Sequence, residues 1–341
     1  MTERERILTG IRPTGSLHLG HYAGALENWV KLQHDYDCNF LIADYQVSDY
    51  ADDIAHVRQS VWEVVLDWLA VGLDPEGSNF VIESLAPEHA ELTTLLSWFL
   101  PLSMLERNPT LKAEMAALEG GEDPSVERKP VPVAFFTYPV MQVANILMPR
   151  AHLVPVGEDQ LPHIELTRET ARRFNHRFKD VFPEPRAKVG RVPRLVGIDG
   201  NAKMSKSRGN TIDLKDDAET VAKKIRGMYG GPPRGATEPG DPDENPIMLY
   251  LAAFDPDEAE VAELRQRYAT QGLPNKELKE LLTKHLNELL EPMRERRAKY
   301  AANMPQVREA VEHGTKRFRV LAQETMEMVH DALDMNYLEQ Y

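Results

Sequence analysis

The sequence predicts an α/β protein in which a doubly wound parallel sheet is followed by a region of helices alone. Over the first two-thirds of the 341 residues, short apolar stretches alternate with helical patterns, which is typical of a parallel sheet. Beyond residue 206 the pattern changes, and from residue 246 to the C-terminus no stretch resembles a strand. The predicted strands are 6–10, 39–44 and 80–84, and the predicted helices between them are 17–33 and 54–71.

The first predicted strand and helix indicate where a ligand would bind. Strand 6–10 is apolar and ends in glycine, and a short loop at 12–15 leads into the helix. The apolar residues of that helix recur at helical spacing: Leu19, Tyr22, Leu26, Trp29 and Val30. Sheets of this kind bind ligands where the carboxyl end of a strand turns into a helix. We therefore expect a binding site at 12–21.

A change of pattern near Asn210 predicts two domains. Residues 1–210 would form a Rossmann-like catalytic domain, with a connecting insertion at about 105–150 that contains a surface loop at 120–124. Residues 217–228 predict a helix, and the segment 230–246 is rich in glycine, proline and acidic residues, as loops are. Several helices should follow, so that 211–341 forms a helical domain.

The composition is that of an ordinary globular protein, with 42% apolar and 28% charged residues. A net charge of −14 argues against a protein that coats nucleic acid but leaves room for local basic patches. Cys38 is the only cysteine, which excludes an intrachain disulfide and suits a reducing cytoplasm. We expect no signal peptide and no membrane span, since no apolar run approaches the roughly 18 residues that a span needs.

The segment Leu-His-Leu-Gly-His at 17–21 is the first candidate for chemistry. His18 and His21 are three residues apart and project from one helix face. Gly20 would let a ring or a phosphate approach the backbone closely, and the N-terminus of a helix offers free N–H groups to phosphate. Taken alone, the segment is equally consistent with two surface histidines and a glycine that packs against another helix.

The second candidate is the glycine-flanked loop at 200–210, which contains Lys-Met-Ser-Lys-Ser at 203–207. Lysines act as point charges on phosphates, and serine hydroxyls and loop amides add hydrogen bonds. A solvated basic loop is the usual meaning of such a composition. A specified five-residue string, however, occurs by chance in a chain of this length with a probability of roughly one in ten thousand.

Together the two motifs resemble those of class I aminoacyl-tRNA synthetases, where they embrace ATP from the two halves of a nucleotide-binding fold. The segment 154–168, with Val-Gly-Glu-Asp-Gln at 156–160, is similar to that of bacterial tryptophanyl-tRNA synthetases. Segments 10–22, 107–112 and 137–140 resemble the same family. The resemblance covers most of residues 7–215 and continues more weakly to the C-terminus. The Gly-x-Asp-Gln-x-x-Asn motif of tyrosine enzymes is absent.

The resemblance implies a site for ATP and its activation chemistry. The amino-acid carboxylate would attack the α-phosphate in line, so that catalysis consists of positioning and stabilisation of developing charge. Mg²⁺ would accompany ATP, held mainly by phosphates and water, and no dedicated protein site for a metal is implied. The implied catalytic residues are Lys112, Lys203, Ser205 and Lys206. The implied ATP-binding residues are Arg12, Pro13, Thr14, His18, Gly20, His21, Gly157, Glu158, Asp159, Val192, Lys203, Met204, Ser205, Lys206 and Ser207.

The resemblance also implies a tryptophan pocket, with Gln160 at the amino or carboxylate end. Its walls would be Leu8, Tyr138, Gln142, Asn145, Val154 and Val156. Many bacterial relatives have Asp at the position of Asn145, where it accepts the indole N–H. A charge-assisted hydrogen bond is roughly twice as strong as a neutral one. Recognition is therefore weaker here, or tuned toward a related indole, or Asn145 is an equivalent acceptor.

Three partners follow from the resemblance: L-tryptophan, tRNA(Trp) and a second copy of the chain. Anticodon binding would fall to the helical domain. Two basic clusters would contact tRNA phosphates or form solvated faces; they are Arg294, Arg296, Arg297 and Lys299, and Lys316, Arg317 and Arg319. The segment 92–105, with Trp98, Phe99, Leu100 and Leu102, suits either a dimer interface or a buried core helix.

Three functions are consistent with these observations. The first is a tryptophan–tRNA ligase, which forms tryptophanyl-AMP and transfers the amino acid to tRNA(Trp). The second is a divergent paralogue with a regulatory or binding role or an altered indole amino-acid specificity, which Asn145 suggests and the intact lysines of 203–207 oppose. The third is a related adenylyl-forming enzyme that acts without tRNA, which the long helical C-terminal region disfavours.

Overall fold

The computed structural model describes residues 4–119, 130–190, 195–200, 204, 208–233, 235 and 238–338. Within this part of the chain, five parallel strands form one sheet in the order β3-β2-β1-β4-β5. The strands are β1 (Arg6–Ile11), β2 (Asp37–Ile42), β3 (Asn79–Ile82), β4 (Leu153–Val156) and β5 (Arg186–Val189). The predicted α/β class with a doubly wound parallel sheet is confirmed.

The order of the strands fixes where a ligand can enter the sheet. From β1 the chain adds β2 and β3 on one side, and then returns to add β4 and β5 on the other. The switch of direction therefore lies between β1 and β4, and the crevice at the carboxyl ends of these two strands is the expected binding position. The loop after Ile11 and the segment after Val156 border this crevice.

The first helices form close to their predicted positions. The predicted helix 17–33 consists of α1 (Leu19–His21), a π-helical turn (Tyr22–Leu26) and α2 (Glu27–Leu32). Helix α3 (Ile54–Val71) begins and ends as predicted. Asp53 accepts a hydrogen bond from the amide of His56 at its N-terminus (3.0 Å), and Gly72 ends it with a φ of 100°, which is accessible to glycine at little cost.

Two strand predictions extend too far at the carboxyl end. Strand β2 ends at Ile42 rather than at residue 44, and β3 ends at Ile82 rather than at residue 84. The polar side chains that follow these strands are bound to each other instead of continuing the ladder. The Ser84 amide and hydroxyl both donate to the carboxylate of Asp44, at 2.9 and 2.5 Å.

The remaining elements of the described chain are helices, and the predictions of a helix at 217–228 and of helices alone from residue 246 onward are confirmed. The helices are α4 (Glu88–Ser97), α5 (Leu102–Glu106), α6 (Pro109–Leu118), α7 (Val133–Leu147), α8 (Leu161–Arg177), α9 (Ala218–Gly227), α10 (Pro246–Phe254), α11 (Glu258–Thr270), α12 (Asn275–Ala301) and α13 (Met304–Ala332). The predicted loop at 120–124 lies outside the described residues. None of the described helices is long and apolar enough to span a membrane.

The hydrophobic core continues across the predicted domain boundary. Buried residues of the sheet and of α3 belong to the same apolar cluster as residues of α12 and α13, among them Leu286 and Val311. Its centre is aromatic, with the ring of Phe40 5.4 Å from Trp29 and 6.1 Å from Trp68. The C-terminal helices therefore pack directly on the sheet unit. The division at residue 210 stays a prediction.

Helix α13 covers the open edge of strand β3. A Cβ atom on Gly314 would lie 2.6 Å from the backbone nitrogen and 2.7 Å from the backbone oxygen of Phe80. The hydroxyl of Thr315 also reaches the Phe80 oxygen, at 3.5 Å. The helix thus shields the unpaired groups of an edge strand, which would otherwise be available to pair with another chain.

We expect Gly314→Ala to lower the free energy of unfolding by about 1–3 kcal/mol, because the added methyl group must push α13 away from β3. Alanine would otherwise favour a helix over glycine by about 1 kcal/mol. Urea denaturation measures the difference. Gly227→Ala, at a helix end with no atom within 4 Å of the new Cβ, is the control and should change stability by about 0.5 kcal/mol or less. Equal stability of the two variants would contradict the close packing.

Candidate active site

The first motif begins helix α1 at the carboxyl end of β1. The side chain of His18 caps the helix, with Nδ1 accepting from the Gly20 amide at 3.2 Å. In return, the backbone amide of His18 donates to Nδ1 of His21 at 3.2 Å. Because both Nδ1 atoms accept, a neutral ring at either position carries its proton on Nε2. Each imidazole thus has an N–H on the side away from the cap.

The two motifs meet at Gly20. Of residues 201–207 the structure describes Met204, which is 3% exposed. A Cβ atom on Gly20 would lie 3.4 Å from the sulfur of Met204 and 3.0 Å from the ring of His18. Glycine thus allows the second motif to pack on the first. Four implied residues of this loop, Lys203, Ser205, Lys206 and Ser207, lie outside the described residues, as does Val192.

The chain that follows the second motif is anchored to the first. The amide of Leu19 donates to the Ile212 oxygen at 2.9 Å, and the amide of Leu214 donates to the Leu17 oxygen at 2.9 Å. The hydroxyl of Ser16 donates to Asp213 at 3.1 Å. These bonds fix the C-terminal end of the 200–210 loop beside the helix that carries His18.

The implied ATP residues before the first motif form a tight turn. The amide of Thr14 donates to the Arg12 oxygen at 2.9 Å, and Gly15 has a φ of 119°. The guanidinium of Arg12 forms an ion pair with Asp49. Asp49 was not foreseen, although it lies in the segment after β2 and so at the same edge of the sheet.

The Gly-Glu-Asp-Gln segment at 157–160 lies on the other side of the crevice, directly after β4. Thr110 of α6 donates to the backbone oxygen of Asp159 at 2.9 Å. This bond places the first turn of α6, and with it the exposed Lys112, next to the segment. The side chain of Gln160 accepts from Gln142 at 3.2 Å.

The implied walls of the tryptophan pocket come from β1, β4 and α7. Leu8 and Val154 are buried on neighbouring strands and share one hydrophobic cluster, and Val156 packs against it. Gln142 and Asn145 are three residues apart on α7 and therefore face the same side. The structure thus brings these five residues to one side of the sheet.

Tyr138 takes part in a chain of hydrogen bonds that was not foreseen. The amide of Asn108 bonds Nδ1 of His163 at 3.3 Å, and Nε2 of His163 bonds the Tyr138 hydroxyl at 3.0 Å. The hydroxyl in turn donates to Glu114 at 2.6 Å. Burial lowers the pKa of His163 to about 4, so that the ring is neutral at pH 7. The chain orients the Tyr138 ring relative to α6 and α8.

Glu83 is the most deeply buried carboxylate at this edge of the sheet, and sequence reasoning missed it. It follows β3 directly and is 0% exposed. The side-chain amide of Asn145 donates to it at 2.6 Å. A charged residue at the carboxyl end of a parallel strand is a signal that could have identified it.

In the first basic cluster, two of the arginines predicted to contact tRNA or to form a solvated face bind other residues of the chain. The guanidinium of Arg297 donates to Asp67 at 2.8 Å and to Glu63 at 2.6 Å, both on α3. Arg296 donates to the Ala70 oxygen at 2.6 Å. These residues join α12 to α3. For Arg297, whose side chain is 16% exposed, the interpretation as a solvated face or phosphate contact is wrong.

The two arginines of the second basic cluster also bind other elements of the fold. Arg317 donates to the side chain of Asn79 and to the Ser78 oxygen, both at 2.8 Å. Arg319 donates to Glu88 at 2.9 Å. These arginines join α13 to β3 and α4.

One group of side chains in the described residues could share a metal ion. Asp255, Glu260 and His285 have potential ligand atoms within 4.8 Å of one another. They lie at the ends and faces of α10, α11 and α12. None of these helices carries either motif.

Comparison with known proteins defines the class. The family model described as "tRNA synthetases class I (W and Y)" matches residues 1–291. The tryptophan–tRNA ligase of Chlamydia caviae is 41% identical over 98% of this chain and 97% of its own. That of Treponema pallidum is 42% identical over 97% of each. The chain belongs to the class I tRNA synthetases for tryptophan and tyrosine.

Solved structures agree with this assignment. The tryptophanyl-tRNA synthetase of Campylobacter jejuni, complexed with ADP and tryptophan, matches with a TM-score of 0.81 at 30% identity and covers 96% of this chain and 99% of that one. The enzyme of Mycoplasma pneumoniae matches with a TM-score of 0.82 at 26% identity over 97% and 98%. The predicted family, fold and enzyme class, an aminoacyl-tRNA ligase of the tryptophan type, are confirmed.

Proposed function

We propose that this chain activates L-tryptophan with ATP to tryptophanyl-AMP and then transfers the tryptophan to tRNA(Trp). The observation that carries the proposal is the contact between Met204 and Gly20 beside the switch point of the sheet. This contact supports a site in which the start of α1 and the loop that contains Met204 face one crevice. The names of the relatives at 41–42% identity support tryptophan as the amino acid.

The phosphates of ATP would lie between the two motifs. The amides at the start of α1 and the Nε2 N–H groups of His18 and His21 would supply hydrogen-bond donors. Lys203 and Lys206 supply positive charge for the pyrophosphate end, with Lys112 approaching from α6. The adenosine would lie over Gly157 and Glu158. Mg²⁺ would accompany ATP, held mainly by the phosphates and water, and would neutralise part of the phosphate charge.

Tryptophan would occupy the pocket formed by β1, β4 and α7. Leu8, Val154 and Val156 supply its apolar walls, and Gln160 would bind the amino or carboxylate end. Its carboxylate would then face the α-phosphate. No covalent intermediate with the protein is needed, since the carboxylate attacks the α-phosphate directly and pyrophosphate leaves. Holding the two reactants in line lowers the barrier to this step. The ADP and tryptophan complex of the Campylobacter jejuni enzyme supports a shared site for the two ligands.

We infer that the protein acts as a cytoplasmic homodimer that binds tRNA through residues 211–341. The family resemblance supports all three features. Leu92 and Leu96 are fully buried, whereas Trp98 is 61% and Leu102 60% exposed. The segment 92–105 thus combines a core helix with an exposed apolar end, which suits contact with a second copy.

The second candidate function is a divergent paralogue with a regulatory or binding role or an altered indole amino-acid specificity. The single observation that favours it is the uncharged Asn145, which is 2% exposed in the pocket wall. Such a protein would bind an indole amino acid without efficient activation, or would activate a substituted tryptophan in preference to tryptophan.

Exchange of labelled pyrophosphate into ATP separates these functions. We expect exchange to require tryptophan and to be unaffected by tyrosine as a competitor. Charging of tRNA(Trp) with labelled tryptophan should follow. Exchange without charging would indicate an adenylyl-forming enzyme that acts without tRNA, and tryptophan binding without exchange would indicate a regulatory paralogue.

A further inference from the structure

The carboxylate of Glu83 is surrounded by neutral N–H donors in the described part of the chain. Besides Asn145 at 2.6 Å, the backbone amide of Tyr45 donates to it at 3.1 Å and the side chain of Gln46 at 3.5 Å. Burial raises its pKa to about 7, and the nearby carboxylate of Asp44 acts in the same direction. The ionised form of this buried acid depends on these donors, because no cation contacts the carboxylate in the described residues.

The bond from Asn145 determines how its amide is oriented. Because Nδ2 donates to Glu83, the amide cannot flip while Glu83 is ionised without placing two acceptor oxygens against each other. The other atom of the group, Oδ1, is buried and has no hydrogen-bond partner in the described residues. The ring of His89, fully buried on α4, lies close enough to the Asn145 side chain for this contact to raise the histidine pKa against the larger, lowering effect of burial, but neither of its ring nitrogens completes a hydrogen bond.

A buried acceptor without a partner in a pocket wall indicates a missing donor. The indole ring of tryptophan has one polar atom, an N–H that can only donate. The unfilled acceptor and this donor are complementary. A carboxylate on the far side of the amide also polarises it, and hydrogen bonds in series strengthen one another.

We propose that Glu83 is a positioning residue for tryptophan, which holds the Asn145 amide with Oδ1 toward the indole N–H and, in its ionised form, supplies the negative charge that Asn145 lacks. This proposal rests on the proposed function, since it places tryptophan against α7. Glu83 does not touch the substrate. It acts through Asn145. The two residues together therefore make the pocket selective for a ligand that carries an N–H donor.

The test uses Glu83→Gln, Asn145→Asp and the double variant. Dissociation constants are measured for tryptophan and for its benzothienyl analogue, in which sulfur replaces the indole N–H. We expect Glu83→Gln to weaken tryptophan binding roughly tenfold and analogue binding less than about twofold. In pyrophosphate exchange, KM for tryptophan should rise, while kcat and KM for ATP stay unchanged.

The double variant returns the carboxylate to the pocket wall and should restore tryptophan binding to within about threefold of the wild type. Glu88→Gln is the matched control, because Glu88 is a largely buried acid five residues further on, paired with Arg319. It should leave both dissociation constants unchanged.

Three results would overturn the proposal. The first is that Glu83→Gln weakens the binding of both ligands equally, and the second is that it weakens the binding of neither. The third is a double variant that binds tryptophan less tightly than both single variants. Failure of the wild-type protein to bind tryptophan at all would overturn the proposed function together with this inference. The two failures are thereby distinguished.

Discussion

Arg297→Met should lower the free energy of unfolding by about 3–5 kcal/mol, the usual cost of removing one partner of a buried ion pair. Arg297 reaches from α12 to Asp67, whose side chain is 0% exposed. The other oxygen of Asp67 accepts from the Leu17 amide at 2.6 Å. The variant would leave a buried charge with one neutral donor. Urea denaturation measures the loss.

Charge, rather than lost packing, should account for most of this effect. The double variant Asp67→Asn/Arg297→Met removes both charges and keeps an oxygen for the Leu17 amide. We expect it to be more stable than Arg297→Met alone. Lys215→Met removes an ion pair to Glu63 at a more exposed position, with Lys215 41% exposed, and should cost about 1 kcal/mol or less. A double variant no more stable than the single one would contradict the charge argument.

The loss in Arg297→Met should also depend on pH. Burial raises the pKa of Asp67, an effect that outweighs the opposing attraction of Arg297. Without the arginine, the folded-state pKa rises further above the unfolded value. A group of this kind binds its proton more tightly in the folded state, so its stabilisation is present at low pH and is lost as the pH rises through the folded pKa. The difference in the free energy of unfolding between Arg297→Met and the wild type should therefore become smaller as the pH is lowered from 8 to 5.

Lys206→Ala should reduce the rate of tryptophan-dependent pyrophosphate exchange by roughly 10²–10³-fold, the usual effect of removing one group that stabilises a transition state. Charge accumulates on the pyrophosphate as it leaves, and Lys206 is the implied partner of that charge. Stability should be unchanged, because a loop lysine contributes little to folding. The measurement is kcat for exchange, with the urea midpoint recorded in parallel.

Lys276→Ala provides the control for this prediction. Lys276 begins α12 with a side chain that is 86% exposed and a weak ion pair to Glu280 at 3.9 Å. Its removal changes the net charge by the same amount as removal of Lys206. If the two variants lost activity equally, the effect would arise from overall charge and the assigned role of Lys206 would be wrong.

The fold class was predictable because apolar periodicity reports directly on burial. Helix α3 was predicted to the residue, since Asp53 and Gly72 mark its ends by local chemistry. The ends of β2 and β3 were missed, because the side chains of Asp44 and Ser84 bind one another across the sheet. Such a bond depends on strand order, which no local pattern contains.

The site was predictable where a motif is contiguous and unpredictable where partners come from distant segments. The residues at 17–21 were identified from their own spacing. Glu83 binds the implied pocket residue Asn145, and Asp67 binds Leu17 at the start of the first motif, only after folding, at sequence separations of 62 and 50. For the basic clusters, the sequence showed the charged residues but not the partners that they bind in the fold. A charge run indicates available cations, but Arg297 and Arg319 bind carboxylates on α3 and α4.

The cover that α13 provides for β3 has a consequence for synthesis. Strand β3 ends at Ile82, and Gly314 lies 232 positions later. At roughly 5–20 residues per second, a growing chain carries this strand edge unprotected for on the order of ten seconds or more. During that interval the nascent protein is most exposed to pairing with a neighbour on the same messenger. The synthesis of α13 thus determines when the edge of β3 becomes protected from pairing with another chain.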